Sequence, residues 1–257
     1  MLWVALGAAQ LDPQDMGFLS DLKALNSGAD VWQSVTITSD LCTNGSWTKY
    51  VKCNVPNTRI IYLNFADQDV VQLPSSIQNL NLLSTLRLYD NDMRSIPTTL
   101  AALTSLTYLD LGSNRITGTI PSILAQLTSL AKLYLDSNRF QGTVPSQFAM
   151  LSSLTSLALD SNRLSGDIPS FFSQLPLSYL DLSANQFFGT LPDSLVTLVD
   201  TYCSPGSASC YTYKSVSEKH KDCDLTGVWF DCKINGTNTT CIHKCTSKKD
   251  SCNLNSL

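Results

Sequence analysis

Between Leu63 and Leu198 the apolar positions fall two apart, and a polar amide follows three residues later. Six segments align on this L-x-L-x-x-N pattern. They are Leu63-x-Phe65-x-x-Gln68, Leu86-x-Leu88-x-x-Asn91, Leu109-x-Leu111-x-x-Asn114, Leu133-x-Leu135-x-x-Asn138, Leu157-x-Leu159-x-x-Asn162 and Leu180-x-Leu182-x-x-Asn185. Each is followed by a proline: Pro74, Pro97, Pro121, Pro145, Pro169 and Pro192. Six in-register copies of one short unit predict coils stacked on one another rather than a chain of independent elements. Within each coil, L-x-L reads as a short strand whose alternate side chains face opposite ways, the leucines inward. Leu103 and Leu106, Leu127 and Leu130, and Leu151 and Leu154 fill the same interior from the preceding turn. The recurring asparagine is expected to satisfy main-chain groups of neighbouring coils through the bend. Gln68 replaces it in the first unit, where such a ladder would begin. Six strands at roughly 4.8 Å spacing predict a parallel sheet about 25–30 Å long.

Three units continue as N-x-h-x-G-x-h-P, with h apolar: Asn114 to Pro121 through Gly118, Asn138 to Pro145 through Gly142, and Asn162 to Pro169 through Gly166. Asn185 to Pro192 repeats this with Gly189, whereas the first two units lack the glycine. With these motifs residues 55–200 resemble the plant-type leucine-rich-repeat family. The resemblance implies an α/β fold, a right-handed solenoid with a parallel concave sheet and disulfide-closed caps at both ends. Residues 10–54 look like the family's N-terminal cap, with Leu19, Leu22 and Leu25 at helical spacing, then Trp32, Cys42, Trp47 and Cys53. The likeness implies a Cys42–Cys53 disulfide and tryptophans sealing the first coil; Tyr50 stands where the family usually carries glycine.

The nine cysteines avoid the repeats. Cys42 and Cys53 precede them, and seven follow, from Cys203 to Cys252, in a cysteine-rich C-terminal cap over 201–257. Confinement to the ends points to an oxidising compartment. Cys203–Cys210 reads as a local bridge, while the pairing of the later cysteines stays open. Residues 1–9 read as the remnant of a secretory signal, apolar and ending in small residues. Asn44, Asn235 and Asn238 are glycosylation acceptors, all in the cysteine-bearing ends.

Charge and chemistry narrow the function. Only 15% of residues are charged and the net charge is −4, which speaks against nucleic-acid binding. No apolar run reaches the roughly 18–20 residues of a membrane span. Cys241-x-His243-x-Cys245 has the wrong spacing for a common zinc knuckle, so no metal or other cofactor is expected. Both histidines, His220 and His243, lie in the tail, and no phosphate-binding loop or nucleophilic triad accompanies them. The chain therefore reads as non-catalytic.

The residues between the leucines are expected to form columns on the concave face. One is Tyr62, Thr85, Tyr108, Lys132, Ser156 and Tyr179; the next is Asn64, Arg87, Asp110, Tyr134, Ala158 and Asp181. A third is Ala66, Tyr89, Gly112, Asp136, Asp160 and Ser183, and a fourth is Asp67, Asp90, Ser113, Ser137, Ser161 and Ala184. Six carboxylates and five tyrosines thus stand against only two cations, Arg87 and Lys132. Tyrosine supplies large, stiff, amphipathic contact area at recognition surfaces. The expected partner-binding set is Tyr62, Arg87, Tyr89, Tyr108, Asp110, Lys132, Tyr134, Asp136, Asp160, Tyr179 and Asp181. It suits an extracellular protein with basic groups, or a wall polysaccharide stacked on the rings. The resemblance implies a secreted recognition module of the kind seen in polygalacturonase-inhibiting proteins. Alternatives are an ectodomain fragment of a receptor kinase and a structural wall or ice-binding protein. For the last, Thr119, Thr143 and Thr190 nearly align, but Asp167 interrupts them. Arg115, Arg139 and Arg163 form a further column beside the asparagines.

Overall fold

Each predicted L-x-L segment carries a short strand, centred on or near its first leucine and ending just before its second apolar residue, and these strands stack in parallel. The computed structural model describes residues 10–28, 32, 36–38, 41–42, 47–55 and 58–188, and the backbone of 232–234 and 237–239. The concave sheet has seven strands: β1 (Val51–Cys53), β2 (Ile60–Asn64), β3 (Thr85–Arg87), β4 (Tyr108–Asp110), β6 (Lys132–Tyr134), β8 (Ser156–Ala158) and β10 (Tyr179–Asp181). β1 runs antiparallel to β2 and the other pairs are parallel. Leu63, Leu86, Leu109, Leu133 and Leu157 pair in register and are at most 1% exposed, so the leucines face the interior as the alternation requires.

A second sheet lines the glycine-bearing coils: β5 (Thr117–Gly118), β7 (Arg139–Gly142), β9 (Arg163–Gly166) and β11 (Gln186–Phe187). Gly118, Gly142 and Gly166 adopt φ of 77–87°, the left-handed region that a side chain disfavours. The two units without this glycine have no strand in the second sheet. The opposite side carries one short 3₁₀ turn per coil: Ser75–Asn79, Thr98–Ala102, Ser122–Gln126, Ser146–Met150 and Ser170–Gln174. A proline precedes each, with φ between −71° and −60°, already set for the turn by its ring. Ile77, Leu100, Leu124, Phe148 and Phe172 point from these turns into the core.

The asparagines form the expected ladder. Asn138 Nδ2 donates to the carbonyls of Leu111 (2.8 Å), Leu135 (3.3 Å) and Asp136 (3.0 Å), while its Oδ1 accepts from Ile116 N (3.0 Å). Asn91, Asn114, Asn162 and Asn185 repeat the arrangement, and all five are at most 8% exposed. Each side chain ties its own bend to the previous coil. The first rung is Asn91, which accepts from the backbone N–H groups of Gln68 and Val70. The Gln68 side chain bonds only locally, to the carbonyls of Ala66 and Asp67.

In the cap, α1 (Pro13–Leu25) starts at Asp12, whose carboxylate accepts from Gln14 N (2.8 Å). Its buried face is Asp15, Phe18, Leu19 and Leu22. Leu25, expected in the core, is 44% exposed. The next inward position, four residues after Leu22, is Asn26. Asn26 is 2% exposed and binds the first coil, donating to Leu22 O and Gln72 O and accepting from Val71 N and Gln72 N. Buried Asp15 accepts from Arg59 Nε and Ile60 N; burial raises its pKa against both contacts. The Cys42–Cys53 disulfide is present. Trp32, Trp47 and Tyr50 surround Phe65 with ring centroids 5.0–6.4 Å away, and Trp32 Nε1 donates to Gln68 O. Tyr50, in place of the family's glycine, stacks on the phenylalanine that replaces the second leucine of the first unit.

Near the C-terminus, β12 (Cys232–Ile234) and β13 (Thr237–Thr239) pair as an antiparallel hairpin. Residues 1–9, Asn44, Cys203, Cys210 and Asn235, and the side chain of Asn238, lie outside the described residues. Within them, no helix is long and apolar enough to cross a membrane.

Asn138→Ala leaves the buried Ile116 N–H without its acceptor and removes one of the two donors that each of the Leu111, Leu135 and Asp136 carbonyls receives. Thermal and urea unfolding should show a loss of roughly 2–4 kcal/mol. Gln68→Ala, with only local bonds, should cost below about 1 kcal/mol.

Candidate functional site on the concave face

The outward residues of the short strands stand in the expected columns. Tyr62, Thr85, Tyr108, Lys132, Ser156 and Tyr179 pair in register, as do Asn64, Arg87, Asp110, Tyr134, Ala158 and Asp181. The third column follows one step past the strand ends. The fourth turns away into the bend, where Asp67, Asp90, Ser113, Ser137, Ser161 and Ala184 all have φ of 49–57°.

The face is centred on Tyr108. The Arg87 guanidinium lies 5.5 Å from its ring centroid and Lys132 Nζ lies 5.9 Å from it. Arg87 also sits 5.6 Å from the Tyr89 ring. The Tyr134 ring meets Tyr108 edge-on at 5.5 Å. Such cation–ring and ring–ring contacts hold side chains in place without consuming their outer surfaces. Burial, reinforced by Asp110, pushes the Tyr108 hydroxyl up to about 12, so it remains a hydrogen-bond donor; its bond to Asp110 Oδ2 is 3.4 Å.

Arg87, Tyr89, Asp110, Gly112, Ser113, Tyr134 and Asp136 line a shallow cleft of about 250 Å³. Its shape depends on Gly112: a Cβ there would stand 2.8 Å from Asp136 Oδ1. The missing side chain lets the Asp136 carboxylate lie down over the strand end. Arg87 Nε is buried and meets no acceptor.

Beyond the cleft the face is acidic. Asp136, Asp160 and Asp181 come from consecutive coils, linked by Ser137 N donating to Asp160 O and Leu159 N donating to Asp181 O. Burial is the main cause that raises the pKa of Asp136, with Asp110 and Asp181 adding to it. Asp160 is pushed up to about 6, first by burial and then by its neighbours Asp181 and Asp136. Hydroxyls soften this: Ser161 Oγ donates to Asp160, and Ser183 Oγ and N donate to Asp181. Tyr179 OH lies 3.4 Å from Asp181 Oδ2.

The structure thus joins Tyr62, Arg87, Tyr89, Tyr108, Asp110, Lys132, Tyr134 and Asp136 into one contiguous group, and Asp160, Tyr179 and Asp181 into an acidic extension. Sequence reasoning passed over two participants. Lys52 in β1 pairs with Tyr62 and lies 4.7 Å over its ring, a neighbour hidden by the antiparallel pairing of the cap strand. Gly112, named in the third column but not in the expected partner-binding set, shapes the cleft. Arg115, Arg139 and Arg163 are exposed beside the second sheet, and Arg115 pairs with Asp92 at 2.9 Å. Thr119 and Thr143 are exposed too, and their methyls stand over Gly142 and Gly166 of the next coil. Among the described residues no group of three or more His, Cys, Asp or Glu side chains is placed to hold a metal ion.

A carboxyl pKa raised on folding favours the folded state below the ordinary value of about 3.9, and that advantage is lost as pH rises through the folded value. Asp160→Asn should therefore raise stability in urea unfolding at pH 8 and leave it nearly unchanged at pH 4. Carboxyl NMR titration of the wild type should place Asp160 near 6.

Comparison with known proteins agrees with this architecture. A family model of a leucine-rich repeat region matches residues 58–167, and one of a single leucine-rich repeat matches 176–198; together they take in more than half of the chain. No curated protein matches. Among solved structures, a plant ice-binding protein superposes with a TM-score of 0.65 at 28% identity, over 73% of this chain and 61% of that one. The ectodomain of the Arabidopsis thaliana receptor kinase SOBIR1 gives 0.59 at 22% identity, over 70% and 97%. The plant peptide hormone receptor RGFR1, in complex with RGF2, gives 0.51 at 28% identity, over 56% and 23%. The chain thus spans less than two thirds of the ice-binding protein and under a quarter of the hormone receptor. With its ladder, its second sheet and these matches, the chain belongs to the plant-type leucine-rich-repeat proteins.

Proposed function

We propose that this is an extracellular, non-catalytic recognition protein that binds a protein partner through the concave face. The observation carrying the reading is the cleft between Tyr89 and Tyr134, with Arg87 at one side and Asp136 over Gly112. It combines stiff aromatic area with both signs of charge, the composition of surfaces that concentrate binding energy. The Cys42–Cys53 disulfide and the likeness to a peptide hormone receptor support an extracellular setting. On this reading 10–54 cap the stack, 55–200 present the face, and 201–257 form the second cap, bearing acceptors Asn235 and Asn238 and the Cys203–Cys210 bridge.

The likeness to an ice-binding protein favours a second reading, in which the exposed Thr119 and Thr143 contact ice. Exposed Asp167 and the neighbouring arginines break the flat threonine array that such a surface needs.

Both readings are tested with the full chain and a variant in which Arg87, Tyr89, Tyr134 and Asp136 are alanine. A screen against extracellular proteins and wall polysaccharides should yield a protein partner that the folded variant loses, by about a hundredfold or more. Retained binding places recognition elsewhere. A polysaccharide hit lost in the variant moves the same face to sugars. Ice-recrystallisation inhibition that survives in the variant and is abolished by Thr119→Asp with Thr143→Asp would favour the second reading.

A further inference from the structure

The cations of the concave face are already engaged, whereas three of its carboxylates face hydroxyls and backbone N–H groups rather than a cation. Arg87 and Lys132 both lie against Tyr108, and Arg87 also offsets the charge of Asp110. Asp136, Asp160 and Asp181 have no ion pair among the described residues. The contacts that ease the Asp136 and Asp160 charges are serine hydroxyls and their own backbone N–H groups. Each carboxylate has lost part of its hydration to the neighbouring coils, without the cation that normally compensates such a loss.

The cleft adds a shape to this charge. Tyr89 and Tyr134 are two of its walls, and the Asp136 carboxylate lies over Gly112 between them. A planar guanidinium fits this combination better than an ammonium: it stacks on tyrosine faces and meets a carboxylate with two parallel N–H donors. Asp160 and Asp181 come from the next two coils, roughly one and two strand spacings or about 5 and 10 Å along the stack from Asp136, which brackets the roughly 7 Å between alternate side chains on one face of an extended segment.

Resting on the concave-face reading, we propose that the cleft takes an arginine side chain from an extended basic segment of the partner protein, with the segment's next basic residue over Asp160 and Asp181. The segment lies across the coils from the tyrosine cluster toward the acidic end. Arg87, held back by Tyr108 and Asp110, faces the segment's main-chain carbonyls.

The probe is capped hexa-arginine, titrated into the full chain at low ionic strength by calorimetry and by ¹⁵N NMR, with hexalysine and hexaglutamate as comparators. Hexa-arginine should bind saturably, shift the resonances of Gly112, Tyr134, Asp136 and Asp160, and bind more tightly than hexalysine; hexaglutamate should not bind. The double variant Asp136→Asn, Asp160→Asn and the single variant Tyr134→Leu should each weaken hexa-arginine by about tenfold or more. The matched pair Asp69→Asn, Asp167→Asn removes the same charge elsewhere and should leave affinity unchanged. Thermal melts check folding, and the conservative Asp→Asn changes should melt no lower than wild type at neutral pH. Equal weakening by the matched pair, equal affinity for hexalysine, or no saturable binding overturns the inference. A screened partner that is lost in the four-alanine variant yet indifferent to Asp136→Asn, Asp160→Asn overturns the arginine site alone. A partner indifferent to both overturns the concave-face reading as well.

Discussion

The structure depends on one repeated interaction, a buried asparagine amide satisfying the bend of its own coil and the backbone of the coil before it. A solenoid coil turns its main chain sharply while burying it, and buried turn groups without partners are costly. Asn91, Asn114, Asn138, Asn162 and Asn185 meet that cost with the same set of donors and acceptors. Because each rung spans two coils, the ladder also sets their spacing and register. The leucines then supply the apolar stack, and the concave columns follow from the register. The layout of the concave face is thus a consequence of a backbone constraint, its outward side chains standing outside both the leucine stack and the ladder.

The ends of the stack solve the same problem differently. The first unit has Gln68 instead of asparagine at the ladder position, and Asn26 at the end of the cap helix supplies an equivalent buried amide from outside the repeat. The first unit also has phenylalanine where later units have leucine, and the cap closes over it with Trp32, Trp47 and Tyr50. Departures from the repeat therefore cluster where a coil lacks a like neighbour, as expected for a quasi-one-dimensional fold.

Much of this was legible in the chain because the repeat is a strong periodic signal. The strands, the inward leucines, the ladder, the prolines before each turn and the register of the columns all follow from one aligned pattern. The cap was less legible. Leu19, Leu22 and Leu25 fit a helical stripe, but the helix ends at Leu25 and the inward position passes to Asn26, a polar residue that hydropathy does not mark as core. The columns located the candidate site, but its form depends on non-periodic details. Gly112 admits the Asp136 carboxylate, both cations settle on Tyr108, and Lys52 arrives from an antiparallel strand. Such contacts depend on rotamers and on neighbours distant in sequence, and a linear pattern does not encode them.

The measurement that bears most directly on the central claim is hydrogen–deuterium exchange on the full chain, free and saturated with its captured partner. Recognition by the concave face predicts new protection at the strand ends and bends of β3, β4, β6 and β8, with exchange in the 3₁₀ turns and the second sheet unchanged. Protection confined to the 3₁₀ turns, the second sheet or the cap would contradict it.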